Sequence, residues 1–219
     1  MRNRLQSIIC LCLIVACTHL PGMARAGDEQ DQMARSSHPN GLFSADRLTF
    51  QLVSGVLFSP VGIGPENPTF NYAQTNLRLG WMLNSPSADT SVLRGNYEAI
   101  LEVSNSIVLD GFGNYIGGVT GLIRRNFVQK DAKIVPYFQI GVGVVYTDAY
   151  EDKSQQAIGQ AIEFTPQLSI GMRYLLATNW SFDVEGMFHH ISNASLADRN
   201  DGINALGGFL GVTYFLKSR

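Results

Sequence analysis

The sequence predicts an all-β protein, an eight-stranded antiparallel transmembrane β-barrel behind an export signal. Three observations predict it. Apolar and polar residues alternate with period two through eight windows of ten or more residues, the pattern of strands rather than helices. No apolar run after the first 26 residues is long enough for a membrane-spanning helix. The polar positions of the alternating windows carry charges of both signs, Glu98, Glu102, Asp183 and Glu185 against Arg78 and Arg173, which a small closed barrel can pair inside itself.

The chain begins outside the barrel. Arg2 and Arg4 precede an apolar core from Ile8 to Ala16, and Ala24-Arg25-Ala26 reads as an A-x-A cleavage site, so residues 1–26 form a secretory signal peptide. A second reading takes Ile14-Val15-Ala16-Cys17 as a lipoprotein site with Cys17 acylated; the first leaves a polar start at Gly27. All three cysteines, Cys10, Cys12 and Cys17, lie at or before these cleavage points. The mature chain therefore has no disulfide, although it is exported to an oxidising compartment. Residues 1–26 hold three bases and no acids, which leaves 13 bases against 18 acids, a net charge of −5. That balance offers no basic face for nucleic acid. Residues 27–45 are polar and read as a periplasmic lead-in without fixed structure; residues 46–219 form the barrel.

The strands follow in order. Leu48–Ser59 ends at Pro60-Val61-Gly62. In Phe70–Leu83, Leu77, Leu79, Trp81 and Leu83 oppose Gln74, Asn76 and Arg78, and Ser85-Pro86-Ser87 makes the turn. In Asn96–Leu109, Tyr97, Leu101 and Val103 oppose Glu98, Glu102 and Ser104. Tyr115–Gln129 is glycine-rich, Lys133–Thr147 places Phe138, Ile140, Val142 and Val144 on one face, and 148–156 is a polar loop. Gln160–Leu176, Trp180–Ser192 and Gly202–Leu216 complete the eight. Trp81, Tyr97, Tyr146, Trp180 and Tyr214 lie near strand ends, where interfacial aromatics belong. Parity does not distinguish inside from outside. A soluble sandwich or lipocalin-like barrel would bury the apolar face that a membrane barrel turns to lipid.

The chemistry concentrates near the C-terminus. Counting parity from Trp180, His190 and Ser192 share the apolar face with Phe182, Val184 and Phe188, while His189 falls on the polar, lumenal face. Residues two apart on a strand are roughly 6.6 Å apart along it, so His190 can reach the Ser192 hydroxyl, the base–nucleophile pair of covalent catalysis. If the last hairpin folds about Ala197, His190 faces Asn204 and Ser192 faces Gly202, at the spacing of directly opposed residues. Asn204 then becomes the third member, its amide oxygen orienting the ring without offering it negative charge. Asp198 and Asp201 on the loop are the alternative carboxylates. With His189 and His190 pointing oppositely and no cysteine retained, no metal set appears.

The run His190-x-Ser192-Asn193-Ala194, followed by Asn200-Asp201-Gly202-Ile203, resembles the signature of the outer-membrane lipid A 3-O-deacylases, the PagL type, also labelled acyloxyacyl hydrolases. The close match covers about twenty residues, and elsewhere the agreement is one of architecture. The resemblance implies a hydrolase of the Gram-negative outer membrane that removes the 3-O-linked hydroxyacyl chain from lipid A by a Ser–His mechanism, without a cofactor. It also implies that Asn193 stabilises the oxyanion and that Asn200 and Gly202 are structural. Ser195 stands where some members have glycine, and Asn204 where the best-known members carry the triad glutamate. The expected partners are lipopolysaccharide and the lipid of the outer membrane, and a homodimer is admitted. The alternative is a non-catalytic small barrel, structural or adhesive, or an inactive homologue.

Overall fold

The computed structural model describes residues 39–60, 68–88, 91–177 and 179–216. The signal-peptide and lipoprotein readings lie outside them. Nine strand segments form the wall: β1 Leu48–Phe58, β2 Asn71–Met82, β3 Asn96–Asp110, β4 Tyr115–Asn126, β5 Ile134–Thr147, β6 Ile162–Phe164, β7 Gln167–Ala177, β8 Trp180–Ile191 and β9 Ile203–Phe215. Every pairing is antiparallel, and the pairings of β1 with β9 and of β4 with β5 close the ring.

The barrel nevertheless has eight staves. β6 and β7 are two parts of one stave, since both pair with β5 in a single register, Phe164 opposite Val144 and Gln167 opposite Gly141. They separate at Pro166, which has no N–H to give the ladder. The start of β1 and the end of β9 lie at one end of the barrel, with Thr49 opposite Phe215. The opposite end carries the hairpin loops after β1, β3, β5 and β8.

The side chains resolve the parity question. Leu77, Leu79, Trp81, Leu101, Ile140 and Ile170 are exposed on the outer wall, while Arg78, Glu98, Glu102, Arg124, Arg173, Asp183 and Glu185 are buried in the lumen. A water-soluble barrel would have the reverse arrangement; this one presents an apolar surface to lipid. Trp81, Tyr97 and Trp180 are exposed at the terminal end and Tyr115 and Tyr146 at the loop end, two aromatic rings around the apolar band. Trp180 packs on Tyr214 with ring centroids 4.8 Å apart.

Inside, three layers fill the lumen. Leu57, Phe70, Tyr72, Ile116, Val145, Ile158, Ile191 and Ile203 form an apolar layer toward the loop end. Leu42, Phe43, Met82, Val128, Val135 and Phe215 form another at the terminal end. Of the polar lead-in, residues 39–45 are described, and part of it is a cork. After a single helical turn at Pro39–Leu42, Phe43 is fully buried and stacks edge-on against Phe215 at 5.3 Å. Asn96 Nδ2 donates to the Phe43 carbonyl at 3.0 Å.

Between the apolar layers lies the charge network expected from the alternation, with Arg124 added. Arg78 donates to Glu102 at 2.6 Å and to both Glu185 oxygens at 2.7 and 2.9 Å. Arg124 donates to Gln139 at 2.8 Å and Gln51 at 2.9 Å. Arg173 lies 3.2 Å from Glu98 and 3.3 Å from Asp183, charge contacts without hydrogen-bond alignment, among the rings of Phe43, Tyr137 and Phe215. Removing one partner leaves a buried charge uncompensated. Arg78→Met is therefore expected to destabilise the barrel by about 3–5 kcal/mol, read as a shift of the urea midpoint for unfolding in detergent.

At the loop end, Asp148 ties the turn between β3 and β4 to the end of β5. It accepts from the Asn114 N–H at 2.8 Å, the Tyr115 N–H at 2.9 Å and the Asn114 side-chain amide at 3.1 Å. Slight burial raises its pKa, but these bonds outweigh that and hold the carboxyl below its usual range. A depressed value means that the tie is at full strength above the unfolded pKa of about 3.9 and is lost as pH falls through the folded one. Amide exchange at Asn114 and Tyr115, corrected for its intrinsic pH dependence, is expected to accelerate only at strongly acid pH, and Asp148→Asn to abolish that step.

Candidate active site

The site is assembled where β8 leaves the wall at the loop end. Strand alternation turns Met187, His189 and Ile191 inward and leaves Phe188 and His190 half-buried on the lipid-facing side. The β8–β9 register puts His190 opposite Asn204 and Ile191 opposite Ile203, the pairing expected from folding the hairpin about Ala197. Ladder pairing stops there. Ser192 turns instead to the other neighbour, its N–H donating to the Phe164 carbonyl at 3.1 Å and its carbonyl accepting from Phe164 at 2.7 Å.

Three side chains meet on this outer face. His190 Nε2 lies 2.9 Å from Ser192 Oγ, and His190 Nδ1 lies 2.7 Å from Asn204 Oδ1. One tautomer satisfies both bonds: Nδ1–H donates to Asn204, and Nε2 accepts the Ser192 hydroxyl proton. That is the hydrogen-bond order a nucleophilic serine needs, with the base oriented by a third group. The outer surface around it is apolar, with Phe164, Leu168 and Leu206 exposed beside the trio.

The loop after Ser192 is tightly organised. Ala194 and Ser195 both adopt left-handed backbone conformations, φ 54° and 65°, closing a turn in which Leu196 N–H donates to the Asn193 carbonyl at 3.1 Å. Asn193 adjoins Ser192, but it is fully buried and its groups serve the loop. Its N–H donates to Asn200 Oδ1 at 2.7 Å and its side-chain amide to the Arg199 carbonyl at 2.8 Å. To reach an oxyanion, the Asn193 N–H has to leave Asn200. Asp198 and Asp201 are exposed on the same loop, while the atom at His190 Nδ1 belongs to Asn204.

Gly202 has φ 74°, and a Cβ there would lie 3.0 Å from His190 Cε1 and 3.1 Å from the Ile191 carbonyl. Glycine is thus required both for the backbone and for the space beside the imidazole. Gly202→Ala is expected to displace the ring and lower the rate of any His190-dependent reaction about 10²-fold, measured as kcat on purified protein.

Residues outside the motif complete the site. Arg199 donates to the carbonyls of Tyr150 at 2.8 Å, Asp152 at 2.7 Å and Gln155 at 3.1 Å. Asp201 and Gly202 donate backbone bonds to Gln156 and Ala157, each at 3.1 Å. The loop after β5, legible in sequence only as polar, therefore braces the loop that carries the site. Ala157 and Ile158, both buried, anchor it. His189 faces the lumen as parity requires, between Tyr72 and Thr165. Among the described residues, no three His, Cys, Asp or Glu are arranged to hold a metal ion.

Known proteins supply an independent view. The family model described as lipid A 3-O-deacylase (PagL) matches residues 68–213, a span containing all the side chains of the trio. No curated protein matches the chain. Among solved structures, the outer membrane enzyme PagL superposes with a TM-score of 0.51 at 20% identity, covering 74% of this chain and 97% of that one. Neisserial surface protein A superposes with a TM-score of 0.53 at 9% identity, covering 76% and 96%. At these identities the two likenesses concern the barrel.

Proposed function

Since this chain belongs to the lipid A 3-O-deacylase (PagL) family, we propose that it is an esterase of the Gram-negative outer membrane that removes the 3-O-linked hydroxyacyl chain from lipid A. The observation that carries the proposal is the bond order Ser192–His190–Asn204 on the lipid-facing side of the wall. A lumenal trio would be sealed from any lipid by the side chains that fill the barrel. An outward one meets its substrate sideways from the leaflet, with Phe164, Leu168 and Leu206 as the surface along which an acyl chain lies. The loop end faces the exterior, where lipopolysaccharide resides.

The proposed steps use this geometry. His190 Nε2 takes the Ser192 proton as Oγ attacks the ester carbonyl. The oxyanion is stabilised by N–H donors of the turn after Ser192, the Asn193 N–H among them once it leaves Asn200 Oδ1. Collapse expels the sugar oxygen, which leaves with the proton from His190, and the acyl chain stays on Ser192. Water, deprotonated by His190, then releases the hydroxy fatty acid. Asn204 holds the ring throughout and supplies no charge. The proposal includes neither a cofactor nor a homodimer.

Asn204 also motivates a second reading, an inactive homologue or a structural barrel on the same scaffold, because an amide stabilises the imidazolium less than a carboxylate. A fluorophosphonate probe in detergent separates the two. Labelling at Ser192 that disappears in Ser192→Ala and His190→Ala supports the esterase; an unlabelled, folded wild-type barrel supports the second reading.

A further inference from the structure

The wall beside His190 has a defect. The His190 N–H donates to the Pro166 carbonyl at 3.0 Å. In an antiparallel ladder such a bond has a reciprocal, from the N–H of residue 166 to the His190 carbonyl, and proline has no N–H. The register on this side is otherwise continuous, Phe164 opposite Ser192 and Gln167 opposite His189. The missing bond thus falls at the residue that carries the base.

His189 bridges the same two staves from inside. Its Nε2 is bonded to Thr165 Oγ1, the inward residue next to the proline, and its Nδ1 lies 2.5 Å from the Tyr72 hydroxyl on β2, which β9 and β1 separate from β8. All three side chains are buried. Thr165 is itself fixed to β5 by two backbone bonds with Gly143, at 2.9 and 3.1 Å. One ring nitrogen donates and the other accepts, so the imidazole is fully used.

We infer that His189 is a positioning residue for the site. Its two bonds inside the barrel replace the ladder bond that Pro166 removes and fix the backbone from which His190 projects outward. This rests on reading His190 and Ser192 as base and nucleophile. His189 touches no substrate; it acts through the strand that it shares with His190.

The test is steady-state release of hydroxy fatty acid from detergent-dispersed lipopolysaccharide by the purified full-length barrel, with folding checked by heat-modifiable gel mobility. His189→Ala and Thr165→Val are each expected to lower kcat about tenfold with KM changed less than about twofold. Pro166→Ala, which restores an N–H opposite the His190 carbonyl, is expected to change kcat little alone and to recover most of the loss in the His189→Ala background. Unchanged kcat in the folded single variants, or a loss that Pro166→Ala fails to reverse, overturns the inference. If His189→Ala does not fold, Thr165→Val, which keeps the side-chain shape, decides alone. Equal release by wild type and Ser192→Ala would instead defeat the functional reading itself, and this inference with it.

Discussion

Ser192→Ala is expected to lower kcat for deacylation on the order of 10⁶-fold, with the barrel intact and KM little changed. In the proposed mechanism Oγ forms the new bond; the next hydroxyl on the loop, Ser195, lies in the left-handed turn, whereas Ser192 Oγ is 2.9 Å from His190 Nε2, the proposed base. His190→Ala should cost nearly as much, and the double variant no more than either single one, because nucleophile and base act as a unit. The readout is free hydroxy fatty acid from purified protein and detergent-dispersed lipopolysaccharide. A Ser192→Ala protein that retained even about one hundredth of the wild-type rate would exclude covalent catalysis by this serine.

The second large effect is at Asn204. Asn204→Leu keeps the branching at Cγ and removes the acceptor of the Nδ1–H bond, so the ring loses both its orientation and the tautomer that leaves Nε2 free to accept a proton. A fall of about 10³-fold in kcat is expected, somewhat less than the 10⁴ lost when a protease aspartate becomes an amide that imposes the wrong tautomer. Asn204→Glu should move the other way. A charge-assisted bond is roughly twice as strong as a neutral one, and a carboxylate compensates the imidazolium formed during attack, so kcat should rise about tenfold. A glutamate variant slower than wild type, with the leucine variant unaffected, would mean that Asn204 does not orient the base.

The barrel was legible because its alternation is long: from Leu77 to Trp81 in β2 and from Tyr97 to Val103 in β3 every second residue is apolar, and Arg78, Glu98 and Glu102 occupy the other face. Period two defines the faces but not which one is inside; that was settled by where the charges are buried. The trio was legible for the same reason. His190 and Asn204 lie on β8 and β9, where register is arithmetic, and Ser192 stands one residue past the end of β8, still within reach of His190 although it pairs with Phe164 and not with Gly202. What surrounds them was not. Arg199 reaches the carbonyls of a loop more than forty residues away, and backbone acceptors leave no mark in a sequence. The engagement of Asn193 within its own turn depends on loop conformation that no periodicity encodes. Phe43, in a stretch that reads as polar and unstructured, is drawn into the barrel mouth by Phe215 and Met82, residues remote in the chain. Pro166 was visible as a residue, but its effect on the His190 carbonyl exists only once β7 and β8 are paired.

The central claim is that this barrel deacylates lipid A through Ser192. The most direct test is mass spectrometry of lipid A from cells making wild-type or Ser192→Ala protein at equal outer-membrane levels. Loss of one 3-O-linked hydroxyacyl chain with the wild type, and none with Ser192→Ala, is the predicted result. Lipid A that stays fully acylated with a folded wild-type barrel in the outer membrane, or that is shortened equally by both proteins, would contradict it.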